Sequence, residues 1–147
     1  MKLRSTIYSL SFLALMTLAA CHKTEEVVPA PTPVDKTVVF EVFGDQDFSY
    51  SRYGEEEVTI QLLISRKNNT LPEAVETTVF DSTFTMALKD LPVRANRMSV
   101  RKTVPGVTDG TESIFIGSGY RYRQESFGKN QTFPAEQVVK TVQLTVY

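Results

Sequence analysis

The chain is poor in the residues that most often carry chemistry in small proteins. Its 147 residues include no tryptophan, one cysteine and one histidine. A single cysteine excludes an intrachain disulfide, and a single histidine excludes a metal site built from several imidazoles. His22 lies near the N-terminus, far from the strand-forming part of the chain, so a Ser-His-Asp triad is also excluded there. Stability must therefore come from core packing.

The chain also has little excess of either positive or negative charge. The chain carries 16 basic and 17 acidic residues, and its formal net charge is −1. Without the first twenty residues, which contain Lys2 and Arg4 and no acid, 14 basic residues face 17 acidic ones, a net charge of −3. This balance lacks the basic footprint that nucleic-acid binding needs, and it gives no reason to expect electrostatic binding to an anionic membrane surface.

No apolar run is long enough to span a bilayer as a helix. The stretch from Ile7 to Ala20 has fourteen residues and includes Ser9, Ser11 and Thr17, whereas a spanning helix needs about 20 predominantly apolar residues. The basic start, the apolar stretch and the small residues at its end follow the order of a signal peptide. We therefore expect residues 1–20 to be a secretory leader.

The last three residues of this stretch and the cysteine after them, Leu18-Ala19-Ala20-Cys21, resemble the lipobox of bacterial lipoproteins. The resemblance implies that Cys21 becomes the first residue of the mature protein and carries lipid with fatty acyl groups such as palmitate. Two or more acyl chains anchor a protein stably, at about 0.8 kcal/mol per buried CH₂. The resemblance covers the leader and the lipobox alone. Ordinary secretion and a retained membrane helix are the alternatives.

Residues 21–36 read as a lipid-anchored flexible tether. Three prolines alternate with other residues between Val28 and Val34, a pattern that favours polyproline II and a reach of about 45 Å when extended. The charged segment His22–Glu26 resembles the short signal that sends some lipoproteins to the outer face of the outer membrane. We expect surface exposure at the outer membrane, with a periplasm-facing location as the alternative.

Residues 37–147 are expected to form one all-β domain. Apolar residues alternate with polar ones in several short runs, most clearly in Val58–Ile64 and near the C-terminus, where Val138 is assigned to the same face as Leu144 and Val146. Gly117 and Gly119 suggest a bulge or bend. The pattern predicts an immunoglobulin- or fibronectin III-like sandwich of about 6–8 antiparallel strands. A small barrel is the alternative, and no specific family is recognised for the domain.

Arginines and tyrosines supply the candidate binding residues. If the strands that carry them pair, the arginines could form one basic patch for an anionic glycan, a peptide carboxylate or a lipid head group. The alternative is ordinary cross-strand pairing with Glu57, Glu73 or Glu76. Tyrosines near turns could stack on sugars or be buried by a protein partner. The candidates are Arg97, Arg101, Arg121, Arg123, Tyr50 and Tyr53.

Acidic residues give weaker signals. Asp45 and Asp47 offer alternating oxygen ligands for calcium, but the full calcium-loop pattern is missing, so we expect no metal and no cofactor. The nearby acids Glu55–Glu57 leave a carboxylate-based hydrolase as a minor alternative. The sequence therefore predicts a non-catalytic envelope lipoprotein that serves in binding or assembly, with the membrane and a protein or glycan as partners. A structural component of a periplasm-facing complex is the alternative.

Overall fold

The computed structural model describes residues 30–73 and 75–147, so the expected leader, Cys21 and most of the expected tether lie outside the described residues. Short 3-10 segments at Phe48–Tyr50, Leu88–Asp90 and Arg94–Asn96 interrupt the connections between strands. The described residues form seven strands: β1 (Val34–Gly44), β2 (Glu57–Asn68), β3 (Glu76–Ala87), β4 (Met98–Val107), β5 (Glu112–Tyr122), β6 (Glu125–Thr132) and β7 (Val139–Val146).

The strands form two sheets that pack as a sandwich, which confirms the all-β fold class. One sheet has three strands in the order β4-β1-β7, and the other has four in the order β3-β2-β5-β6. Every pair is antiparallel except β1 and β7, which run parallel. The parallel pair departs from the antiparallel expectation. It is possible because the whole of β2–β6 lies between the two strands and supplies the long crossover that parallel neighbours need.

The core lies between the sheets and follows the alternation of each strand. Successive side chains of a strand point to opposite faces, so every second position must be apolar where one face is buried. The inward positions of β1 and β2 are all 0% exposed, which confirms the alternation predicted for Val58–Ile64. They are Val38, Phe40, Val42, Val58, Ile60, Leu62 and Ile64. Opposite them pack Ile116, Val142, Leu144 and Val146, among others.

The domain begins earlier than the sequence suggested. β1 starts at Val34, three residues before the expected boundary at Thr37, because Lys36 is part of the folded domain. Its side chain is buried, and its Nζ donates to the Asp109 carboxylate, whose oxygens lie at 2.8 and 3.0 Å. The ammonium also donates to backbone carbonyl oxygens of the β6–β7 connection, those of Pro134, Ala135 and Gln137, at 3.0–3.3 Å.

Two local expectations are wrong. The pairing of β5 with both β2 and β6 shows no register shift, so Gly117 and Gly119 do not form a bulge. The described bulges lie instead between Val34 and Lys36 and between Ile64 and Ser65. Val138 precedes β7 and is 56% exposed, because the core-facing residues of that strand begin at Val142.

Candidate functional site

A groove of about 610 Å³ runs across the outer face of the four-stranded sheet. Its floor is bare because three glycines occupy outward positions: Gly117 and Gly119 in β5, and Gly128 in β6. Gln61 of β2 pairs with Gly119 of β5, and Gly119 pairs with Gly128 of β6. The neighbouring strands β5 and β6 therefore both lack a side chain at this level of the sheet. We call this feature the glycine groove. Its lining side chains come from Thr59, Gln61, Leu63, Thr83, Arg121, Ser126 and Asn130.

Packing explains one of these glycines but not all of them. A Cβ on Gly119 would lie 2.6 Å from the carbonyl oxygen of Phe127 and 3.1 Å from the Cα of Gly128, so β5 and β6 approach too closely there for any side chain. A Cβ on Gly117 would meet Asn130 and Leu63 at 3.3 Å, which is tight.

Gly128 is different, because the fold does not require a glycine at that position. The nearest atoms to an added Cβ lie at 3.5 and 3.7 Å, which is ordinary van der Waals contact. Its φ lies outside the left-handed region that favours glycine. A glycine inside a strand weakens it, and such a residue often marks the close approach of a ligand or another backbone. The missing side chain at Gly128 therefore makes the outer face above it a candidate site for a ligand or another backbone.

The polar groups of the glycine groove favour a ligand with negative charge. Hydroxyl groups come from threonine and serine, amide groups from Gln61 and Asn130, and positive charge from Arg121. Of the described residues that line the groove, none is acidic. Within the described part of the chain, Arg121 forms no ion pair. Its charge is thus available to an anion, on a chain whose formal net charge is −1.

The four arginines proposed from the sequence do not meet in one patch. β4 belongs to the three-stranded sheet and β5 to the four-stranded sheet, so the strand pairing that the patch required does not occur. Arg97 Nε lies 2.6 Å from Glu41, and this ion pair lowers the pKa of the Glu41 carboxyl below its usual range. Arg101 is exposed on β4. Arg121 alone lies in the glycine groove.

Arg123 is held by an acid other than the three that the sequence suggested. It occupies the first position of the two-residue loop between β5 and β6 with φ of 56°, a conformation that favours glycine. Its guanidinium donates two hydrogen bonds of 2.7 Å to the Glu56 carboxylate. The Tyr122 hydroxyl donates a third, of 2.6 Å. The guanidinium, and then the hydroxyl, lower the pKa of Glu56 to about 2.

This ion pair predicts a defined acid sensitivity. A carboxyl whose pKa is lower in the folded than in the unfolded state adds stability above its ordinary pKa, and loses that contribution as the pH falls through the folded value. For Glu56 the window runs from 4.5 down to about 2. Urea midpoints measured from pH 7 to pH 2 should fall less steeply for Glu56→Gln than for the wild type. The exposed neighbour supplies the control, Glu57→Gln, and equal slopes for all three proteins would contradict the assignment.

The remaining candidates lie outside the glycine groove. Tyr50 is 93% exposed, while the ring centre of Tyr53 lies 4.5 Å from the guanidinium of Arg52 and 5.0 Å from that of Arg123. The Asp47 carboxylate accepts a hydrogen bond of 2.9 Å from the backbone N–H of Ser49 and so caps a 3-10 turn.

Asp45 and Asp47, the weak calcium candidates, do not form a metal site with other acidic residues in the described part of the chain. The backbone N–H of Asp45 donates to the carbonyl oxygen of Val146 at 3.0 Å. Neither Asp45 nor Asp47 belongs to a group of three or more potential ligands, since residues 30–73 and 75–147 contain no such group. Cys21, the expected lipidation site, lies outside the described residues.

The described residues form a β-sandwich domain with a polar groove on one outer face. Comparison with known proteins adds no family: no family model, curated protein or solved structure matches the chain. In the described part of the chain, no helix is long and apolar enough to cross a membrane.

Proposed function

We propose that this chain is an outer-membrane lipoprotein that exposes a non-catalytic β-sandwich at the cell surface and binds an acidic glycan in the glycine groove. The lipobox-like residues that end in Cys21 support the anchor, and the charged segment after them supports surface exposure. The observation that carries the binding role is Gly128, whose missing side chain opens the groove although the fold tolerates a Cβ there.

The chemistry of the lining favours an acidic glycan. Sugar hydroxyls donate and accept hydrogen bonds, and the hydroxyl and amide groups along the groove can do the same. Arg121 can hold a carboxylate or sulfate through two parallel hydrogen bonds. A shallow strip on a sheet face suits an extended ligand that lies along it.

Binding without catalysis follows from the same lining. Glycoside hydrolysis in most enzymes needs two carboxyl groups that flank the scissile bond. The described residues that line the groove include no acid, so a ligand held there meets no such pair. Glu55, Glu56 and Glu57, which kept the hydrolase alternative open, are not among the lining residues, and Glu56 is engaged by Arg123.

The groove can be tested by filling it. Gly128→Thr places a β-branched side chain over the floor, so we expect it to abolish binding of an alginate hexasaccharide in calorimetric titrations without lowering the thermal midpoint. Arg121→Gln removes a charged hydrogen-bond donor and should weaken binding by about 10- to 100-fold, since such contacts contribute about 1.5–3 kcal/mol.

The other sheet supplies a matched control for these variants. Arg101→Gln removes an exposed arginine from β4, so binding of the hexasaccharide should be unchanged. A neutral maltohexaose should bind at least tenfold more weakly than the uronate oligomer, because it lacks the carboxylates that Arg121 would hold. Equal affinity of Gly128→Thr and the wild type, or loss of binding in Arg101→Gln, would contradict the proposed site.

The anchor predicts a change in fractionation. Cys21→Ala should move the protein out of the membrane fraction while its thermal midpoint stays the same, because the described domain begins with β1 at Val34. Fractions washed with high salt and probed with an antibody measure this. A variant that still sediments with membranes would contradict lipid anchoring, and protection of the wild type from protease added to intact cells would favour the periplasm-facing alternative.

A further inference from the structure

β6 is an exposed edge strand that has few of the features that usually prevent strand addition. It ends the four-stranded sheet, and seven of its eight residues are exposed. It contains no proline, and its pairing with β5 is unbroken from Glu125 to Thr132. Natural proteins commonly protect such an edge with a bulge, a proline or a covering segment. A lysine on the edge also protects it, and β6 contains one, Lys129.

We propose that β6 pairs antiparallel with β6 of a second copy of the chain, with Phe127 of one copy opposite Phe127 of the other. The two four-stranded sheets then form one continuous sheet. This inference goes beyond the proposed glycan binding and does not depend on it.

The backbone of β6 has the phase that this pairing needs. The N–H of Phe133 donates to the carbonyl oxygen of Ile114 at 2.8 Å, and the register places these two residues opposite each other. Hydrogen-bonded and non-hydrogen-bonded pairs alternate along an antiparallel ladder. The N–H and C=O groups of Ser126 and Gly128 therefore point away from β5. In the proposed register these two residues are opposite each other across the interface and form about four hydrogen bonds.

The side chains select this register over its neighbours. With Phe127 at the centre, Glu125 of each copy lies opposite Lys129 of the other, so two opposite-charge pairs form on one face. The two phenylalanines form a non-hydrogen-bonded pair, in which side chains come closest. Each Phe127 is 45% exposed and stacks on Tyr120 of its own chain at 4.9 Å, so the pairing buries a row of aromatic rings.

Shifted registers lose these contacts. A centre at Gly128 places Phe127 opposite Lys129, and a centre at Lys129 places two like charges directly opposite each other, which destabilises a sheet. The proposed pairing also sets the two glycine grooves beside each other, because Ser126 and Gly128 of both copies lie on the same outer face. A ligand longer than one groove could then contact both.

Oxidative cross-linking tests the proposal in membranes that contain the full chain. Phe127→Cys should give a disulfide-linked dimer at least tenfold faster than Gly128→Cys, Lys129→Cys or the exposed β4 variant Thr103→Cys, because cross-strand Cβ atoms lie about 4.5–5.5 Å apart only at a directly opposed pair. The unsubstituted chain should give no dimer, since the sulfur of its one cysteine, Cys21, carries the lipid in the proposed anchor and leaves no free thiol. Faster cross-linking at Gly128 or Lys129 would overturn the register, and equal rates at Phe127 and Thr103 would overturn the interface.

A charge exchange supplies the second arm. In the Phe127→Cys background, Glu125→Lys or Lys129→Glu alone should reduce the cross-linking rate about tenfold, since each places two pairs of like charges across the interface. The double exchange Glu125→Lys with Lys129→Glu should restore the rate, because opposite charges face each other again. A double exchange that stays as slow as the single variants would contradict pairing in this register. Glycan binding by the same variants separates failure of this interface from failure of the groove.

Discussion

Lys36→Ala is expected to lower the free energy of unfolding by about 3–5 kcal/mol, the range found when one partner of a buried ion pair is removed. Lys36 is 1% exposed, and its ammonium connects β1 to Asp109 and to the β6–β7 connection. Without it, the carbonyl oxygens of Pro134, Ala135 and Gln137 lose a shared donor. A buried acceptor left without a partner costs about 1–3 kcal/mol. Urea unfolding followed by circular dichroism measures the loss.

Two variants separate the charge of Lys36 from the rest of its side chain. Lys36→Met keeps most of the apolar stem but removes the donor, so it should remain nearly as destabilised as Lys36→Ala. Lys102→Ala is the matched surface control. Lys102 is exposed and lies over the ring of Phe80 at 4.7 Å, a contact that contributes about 0.5–1 kcal/mol. A loss for Lys36→Met no larger than that of the control would show that the ammonium is not the structural connection that we infer.

Leu62→Ala should cost about 2–5 kcal/mol, because it leaves a cavity in the centre of the core. Leu62 is 0% exposed, and it lies in the central strand β2 between β3 and β5. Its sequence neighbour Gln61 points to the opposite face and is exposed in the glycine groove. Gln61→Ala should change the free energy of unfolding by no more than about 0.5 kcal/mol.

The pair Leu62 and Gln61 separates stability from recognition. Urea titration of both variants should show a loss for Leu62→Ala alone, whereas glycan titration should show weaker binding for Gln61→Ala. Similar losses of stability at the two positions would contradict the strand register that places one side chain in the core and the other in the groove. Unchanged glycan binding in Gln61→Ala would show that the Gln61 amide does not contact the glycan.

Sequence reasoning predicts the central strands well because their burial is local information. In β1 and β2 the inward positions alternate with polar ones, and a half-buried strand in a sandwich requires this alternation. β6 escapes the same reasoning because it is an exposed edge, so Glu125–Thr132 shows no apolar period. Its existence depends on pairing with β5, and that pairing is a tertiary property.

Long-range partners account for the other differences. Asp35 and Lys36 read as part of a polar tether, yet Lys36 is buried in the folded domain. Local sequence does not reveal this, because the hydrogen-bond acceptors of Lys36 lie 73 to 101 residues away in the chain. The arginine patch failed for a related reason, since alternation indicates which face a residue takes but not which strands are neighbours.

The glycine groove was only partly visible in the sequence. The pattern suggests a bulge or bend at Gly117 and Gly119, although their two-residue spacing already places both on the same face of one strand. The third glycine, Gly128, belongs to the strand that the apolar pattern did not reveal. Alternating glycines opposite apolar positions are a signal that could have indicated an open strip on the outer face.

The most direct measurement is a titration of the ¹⁵N-labelled protein with an alginate hexasaccharide, followed by backbone amide shifts. Binding in the glycine groove predicts that the largest shifts fall on Gln61, Gly117, Gly119, Arg121 and Gly128, and that Gly128→Thr abolishes them. Shifts that centre instead on Arg97 and Arg101 of the other sheet or on Tyr50, or a spectrum that the uronate oligomer leaves unchanged, would contradict the proposed binding of an acidic glycan in the groove.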